Sequence, residues 1–224
     1  MDKENKVPVF KAPEYPQTYG ELVDWAISQV NNPEERVLYR IARSDIILTY
    51  AEFGRNVNRV ANMLLDMGMK KGDHVGVFLP NCVEYAYLFH SLAKIGAVIV
   101  PINQFLRDEP LHYIIDHSDS EYLVTTYEMF KDKLSSLIDS LPKLKMVLFT
   151  NQGEELKKIK TGQFSDFVNY PTNFDGKWKV SGDDIEGIWY TSGTTGLPKG
   201  VVINQKTYLY RAFFNAHNFR VTPE

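Results

Sequence analysis

The chain has a single cysteine, Cys82, among its 224 residues. That excludes an internal disulfide and any cysteine-rich zinc site, and a reducing compartment is the natural setting for such a chain. Long apolar runs are absent too. The most apolar stretch, Ile95 to Ile102, is far shorter than the about 20 residues a spanning helix needs. The opening MDKENKVPVFK is charged and has no apolar centre, so no secretory signal is expected. An excess of one charge is missing as well. Lys and Arg number 25 against 28 Asp and Glu, for a formal net charge of -3. That balance gives no basis for a general nucleic-acid binder or an acidic tail. There is no internal repeat and no low-complexity segment. What remains is an ordinary globular composition, 44% hydrophobic and 24% charged. A soluble, cytoplasmic protein is expected, long enough for one large domain or two small ones.

Helical and strand periods alternate along the chain. A first helix is expected from Thr18 to about Asn31, stopped by Pro33. Arg36–Ala42 and Ile46–Leu48 read as strands around a Ser44-Asp45 turn. The clearest helix is Tyr50–Met67. Thr49 stands at its N-cap, Gly68 at its left-handed end, and Phe53, Val57, Val60, Ala61, Leu64 and Leu65 share one face. HVGVFLP follows as a strand, then a helix over Val83–Ile95 ending at Gly96, then a buried strand over Ala97–Ile102. The rhythm repeats with a helix over Asp108–His117, a strand over Tyr122–Thr126, an amphipathic helix over Met129–Ser140 and a strand over Lys145–Thr150. Such alternation predicts an α/β fold with mostly parallel sheets flanked by helices. Residues 151–182 break the pattern and are expected to connect an α/β subdomain at 1–150 to a strand–loop–strand and helix at 183–224, the start of a second α/β subdomain.

The chemistry concentrates in Tyr190-Thr191-Ser192-Gly193-Thr194-Thr195-Gly196-Leu197-Pro198-Lys199-Gly200. Glycines let backbone N–H groups face an anion with no Cβ in the way. Hydroxyls add donors for phosphate oxygens. Lys199 adds a mobile point charge suited to the end of a polyphosphate. The run is a phosphate-binding loop. It differs from the loop of the nucleotide triphosphatases, in which Gly-Lys-Ser/Thr enters a helix; here Lys199 lies between Pro198 and Gly200, and a strand follows.

YTSGTTGLPKGV resembles the signature of the adenylate-forming, AMP-binding enzymes, which include acyl-CoA synthetases, peptide-synthetase adenylation domains and luciferases. Leu48–Phe53 is similar to the first recurring stretch of that family, and Leu92–Ala97 with Val100–Asn103 to the second. The LAKIGAVIVPIN segment resembles medium- and long-chain fatty acid ligases and the carnitine-type CoA ligases. The resemblance runs from about residue 17 to the end. It implies the N-terminal portion of the large domain of that fold and a two-step reaction. A carboxylate and ATP give an acyl-adenylate and pyrophosphate; coenzyme A then takes the acyl group. It implies ATP, Mg²⁺ and coenzyme A, phosphate contacts from Thr191, Ser192, Thr194, Thr195 and Lys199, and close backbone approach at Gly193, Gly196 and Gly200. Lys199 and Thr191 would carry the catalytic charge stabilisation. Family enzymes are about twice as long or more, and the loops that complete their site lie downstream. The chain is therefore expected to be an N-terminal fragment, inactive alone. The alternative is a non-catalytic nucleotide-binding or interaction module of the same descent. Gln205 stands where the family commonly has a His, in a region the resemblance places near the acyl pocket. The acyl substrate and a homodimer are left open.

Other candidates have simpler readings. His112, Asp116 and His117 fit a solvated helix face better than a metal site. Asp183, Asp184 and Glu186 could draw Mg²⁺ but suit a charged turn. Cys82 has no His partner and reads as a structural thiol. In Lys206–Arg220, Tyr210, Phe213, Phe214 and His217 share a helical face, which favours core packing over membrane or nucleic-acid binding; part of this helix is expected to border the acyl-binding region. No metal ligands are expected.

Overall fold

The computed structural model describes residues 15–42, 45–191 and 197–219. A short 3₁₀ turn, Tyr19–Glu21, runs into helix α1, Leu22–Gln29. Strands β1 (Val37–Arg40) and β2 (Ile47–Thr49) pair antiparallel as a small separate sheet. Helix α2 spans Tyr50–Asp66, and Thr49 caps it by accepting the Glu52 N–H at 3.1 Å. Its six apolar face residues are all buried. Gly68 follows at φ +98°, a conformation side chains resist.

The main sheet is built from β3 (His74–Phe78), β4 (Val98–Pro101), β5 (Tyr122–Thr125), β6 (Met146–Phe149), β7 (Lys160–Gln163), β8 (Ile185–Thr191) and β9 (Lys199–Asn204). Their order is β7-β6-β5-β3-β4-β8-β9, with all neighbours parallel except the antiparallel pair β8–β9. The chain steps from β3 out to β4, returns past β3 to β5, β6 and β7, and comes back to the other edge with β8. This is a doubly wound arrangement, whose ligands lie beyond the C-terminal strand ends. Helices α3 (Val83–Ile95) and α4 (Asp108–His117) form two of the crossovers. Gly96 ends α3 in the left-handed region, φ +71°. One core lies between the sheet and α2/α3, the other between the sheet and α4.

Three expectations change. The helix expected over Met129–Ser140 is instead a turn of α-helix, α5 (Tyr127–Met129), a π-type turn (Phe130–Leu134) and a 3₁₀ turn (Ile138–Ser140). The wider turn, closed by Ser135 N–H to the Phe130 carbonyl at 2.9 Å, lets Phe130 and Leu134 both reach the core. The excursion at 151–182 contributes an edge strand, β7, to the sheet and a 3₁₀ helix, Phe164–Asn169, whose Phe164 is buried. With β8 beside β4, one sheet runs across all three of the stretches 1–150, 151–182 and 183–224.

Helix α6, Gln205–Asn218, starts on an Asn204 cap that accepts the Thr207 N–H at 2.9 Å. Its buried face is Gln205 and Leu209, with Phe213 packed against Tyr15 and Trp25. Tyr210 and Phe214, expected in the core, are 61% and 65% exposed. The apolar stripe of α6 is thus wider than the surface it covers among the described residues.

Candidate functional site

The candidate site is the far end of the β8–β9 hairpin. The last register pair is Thr191↔Lys199, both exposed at the C-terminal end of β8. The hairpin thus brings Thr191 and Lys199 opposite one another across the loop mouth. Ser192, Gly193, Thr194, Thr195 and Gly196 lie outside the described residues.

Glycine choices around the hairpin have packing reasons. Gly187 faces Ile99 at the one register pair joining β8 to β4; a Cβ there would sit 2.9 Å from the Ile99 carbonyl oxygen. At Gly200, opposite Tyr190, a Cβ would meet Ile188 Cγ2 at 2.8 Å and the Tyr190 ring at 3.2 Å. The absent side chain at Gly200 therefore clears space for the Tyr190 ring, a packing role beside the phosphate approach that the resemblance implies.

On one face, Tyr190 reaches α4. Its Oη lies 2.8 Å from His117 Nδ1, and His117 stacks on Tyr113 with ring centroids 4.9 Å apart. Burial pushes the Tyr190 hydroxyl up to about 12. On the other face, Trp189 stacks on Tyr208 of α6, at 5.7 Å and 14°, and Tyr208 meets Tyr19 and Phe89 edge-on. An open cleft of about 580 Å³ lies along this face, lined by Trp189, Thr191, Val201, Tyr208, Arg211 and Asn215 among others. Its position beside Thr191 puts an aromatic, partly polar groove against the loop mouth.

Glu186 was not expected to be buried. A register shift between Ile185 and Gly187 in the β8–β9 ladder interrupts the strict alternation of faces. The side chain is 1% exposed, and neither carboxylate oxygen has a hydrogen-bond partner among the described residues; nor does Trp189 Nε1. Burial raises its pKa to about 8, while the nearby Trp189 indole pulls weakly the other way without forming a well-made hydrogen bond. His90 is drawn down to about 4 by burial and by Lys94, and its Nδ1 is likewise unpartnered among the described residues.

Gln205 is fully buried and does structural work. Its Oε1 accepts from Gly20 N–H at 3.1 Å, and its Nε2 donates to the Ala93 carbonyl at 3.0 Å. It ties α6 to α3 and to the first turn, a structural role for this position.

Among the described residues no group of three or more His, Cys, Asp or Glu could hold a metal ion. Asp184 pairs with Lys71 at 2.6 Å, and Asp183 pairs with Lys206. With Glu186 buried, the acidic cluster disperses into a charged turn. His112 Nε2 lies 3.1 Å from the Ser140 carbonyl oxygen. Cys82 stands at the start of α3, half-buried, its thiol pushed up to about 12 by burial, which disfavours the thiolate. No helix is long and apolar enough to cross a membrane among the described residues.

Known proteins share this arrangement. The family described as AMP-binding enzyme matches residues 26–224. Crotonobetaine/carnitine–CoA ligase of Proteus mirabilis is 32% identical over 198 residues, covering 85% of this chain and 37% of that protein. The ligase of the same name from Escherichia coli O6:K15:H31 is 33% identical over 175 residues, covering 75% and 32%. The chain thus spans about a third of the length of these relatives. The crystal structure of the anthranilate CoA ligase AuaEII with anthranoyl-AMP superposes with a TM-score of 0.76 at 25% identity, over 91% of this chain and 38% of that one. The inhibitor-bound N-terminal domain of FACL13 from Mycobacterium tuberculosis gives 0.66 at 27% identity, over 84% and 44%. A doubly wound sheet whose added hairpin carries the Thr191–Lys199 loop mouth, matched along nearly all its length, makes this chain a member of the AMP-binding enzyme family.

Proposed function

We propose that this chain supplies the polyphosphate-binding half of an AMP-forming acyl-CoA ligase. The observation that carries the reading is the pairing of Thr191 with Lys199 at the mouth of a loop of sequence SGTTGLP, beside an aromatic cleft. In the first step a carboxylate oxygen bonds to the α-phosphorus of ATP and the bond to the bridging oxygen breaks, releasing pyrophosphate. Charge grows on the leaving group. Lys199 and the donors of residues 191–196 stabilise it electrostatically. Mg²⁺ would arrive with the phosphates and neutralise the same charge; the described residues hold no cluster that would bind it without them. In the second step a coenzyme A thiolate attacks the acyl carbon and AMP leaves. The cleft lined by Trp189, Tyr208 and Arg211 is the proposed seat of the carboxylic acid, of the carnitine type named for the relatives or of the medium- or long-chain fatty acyl type that the LAKIGAVIVPIN segment resembles. A cytoplasmic setting belongs to the same proposal.

The chain matches only 37% of the Proteus relative, and we take the groups that close the adenylate site to lie in the part it does not match. These 224 residues then bind ATP without completing the reaction. The test is carboxylate-dependent ATP–pyrophosphate exchange. A polypeptide extended to the relatives' length should exchange with its acid, and the 224 residues should not. Robust exchange by the 224 residues would overturn the half-site reading; no exchange by the extended polypeptide with any acid would overturn the ligase reading and favour a non-catalytic nucleotide-binding module.

A further inference from the structure

Beyond Gly187, strand β8 has no registered partner in the body of the sheet. Ile99↔Gly187 is its one pair with β4, while β8 and β9 stay paired to Thr191↔Lys199. The outer part of β8 still lies alongside β4 but shares no registered backbone pair with it past Gly187, so side-chain contacts must fix where the hairpin tip points. Ile188 and Tyr190 pack against the core beneath α4. Packing alone sets a face but not an angle. The directional contact is Tyr190 Oη to His117 Nδ1, 2.8 Å. Among the described residues no other side-chain hydrogen bond ties residues 187–191 or 199–203 to the rest of the chain. His117 is itself held by its stack on Tyr113, one turn earlier on α4, and meets the Tyr190 ring at 81°. The space that Gly200 leaves open is what lets the Tyr190 ring lie in its place.

We infer that His117 and Tyr190 form a latch that positions the Thr191–Lys199 mouth of the hairpin, so that Thr191, the very next residue, is presented to the polyphosphate at a fixed angle. His117 is a positioning residue acting through Tyr190; neither touches the phosphates. The inference rests on the phosphate-loop reading. Tyr190 Oη can donate to a neutral Nδ1 or accept from a protonated one.

The test compares Tyr190→Phe, His117→Phe and the double variant, with His117→Gln as the rescue. The Phe at 117 keeps the stack on Tyr113; the Gln keeps a group that can meet the hydroxyl. Two readouts are taken. Amide exchange within residues 188–191 and 199–202 should speed up roughly three- to tenfold in both single variants, the size of one intramolecular hydrogen bond, with the base pair Ile185↔Asn204 unchanged. The dissociation constant for MgATP should rise by a similar factor in both, the double variant should be no worse than either single one, and His117→Gln should recover most of the loss. Unchanged exchange at the hairpin tip, or additive effects in the double variant, would overturn the latch. Faster exchange with unchanged MgATP affinity would leave a purely structural contact and overturn the positioning role. Failure of the unaltered chain to bind MgATP would instead defeat the phosphate-loop reading itself, and the positioning role with it.

Discussion

Replacing the buried Glu186 by Gln should flatten the pH dependence of stability. In the folded chain this carboxyl is 1% exposed, without a hydrogen-bond partner among the described residues, and its pKa is raised to about 8. In the unfolded chain it titrates near the ordinary value of 4.5. Between those values the folded state holds one more proton than the unfolded state. The slope of unfolding free energy against pH is set by protons bound unfolded minus folded, so stability falls by about 1.4 kcal/mol per pH unit. The penalty is absent below the unfolded pKa, builds as pH rises, and is complete above pH 8. From pH 5 to pH 8 the loss from this one group is roughly 3–4 kcal/mol, a large share of the 5–15 kcal/mol of a typical domain. Glu186→Gln keeps the shape but has no proton to lose. Urea unfolding, followed by tryptophan fluorescence at pH 5, 6.5 and 8, reads both proteins. The variant should lose less stability than the parent over this range, by the amount above. Parallel pH profiles would refute the argument, because they would mean that Glu186 ionises as easily folded as unfolded.

Three further outcomes follow from the same structure. Lys199→Ala in a ligase carrying this stretch should slow pyrophosphate exchange tenfold or more, a loss of roughly 1–4 kcal/mol of transition-state stabilisation; an unchanged rate would remove Lys199 from the phosphate role. Gln205→Ala leaves the buried Gly20 N–H without its acceptor and should cost about 1–3 kcal/mol by urea unfolding. Thr49→Ala removes the cap of α2 and should cost about 1 kcal/mol, read in the same way.

The elements that the sequence made legible are those with a full period and a marked end. Helix α2 has six apolar residues on one face, a Thr49 cap and Gly68; α3 ends at Gly96, whose positive φ only glycine takes cheaply. The hydroxyls, glycines and lysine proposed to bind phosphate are equally plain in the sequence, since they lie in consecutive residues. What stayed hidden depends on distant partners. Phe130 and Leu134 are buried through a π-type turn that no periodicity of 3.6 announces. β7 is a short Lys-Thr-Gly-Gln segment, partly exposed, with none of the apolar character of the central strands. Glu186 looked like one of three turn carboxylates until the register shift in its ladder and its burial were seen. The pairing of His117 with Tyr190 joins residues 73 positions apart, and nothing local to either one signals it.

The most direct measurement of the central claim is an equilibrium titration of the 224 residues with MgATP, read by the fluorescence of the tryptophans, Trp189 among them two residues from Thr191. Saturable binding that inorganic pyrophosphate displaces, and that Lys199→Ala weakens by about tenfold, the scale of one charge-assisted contact, is what a polyphosphate loop at this hairpin requires. Binding that pyrophosphate leaves untouched, or that is indifferent to Lys199→Ala, would contradict it.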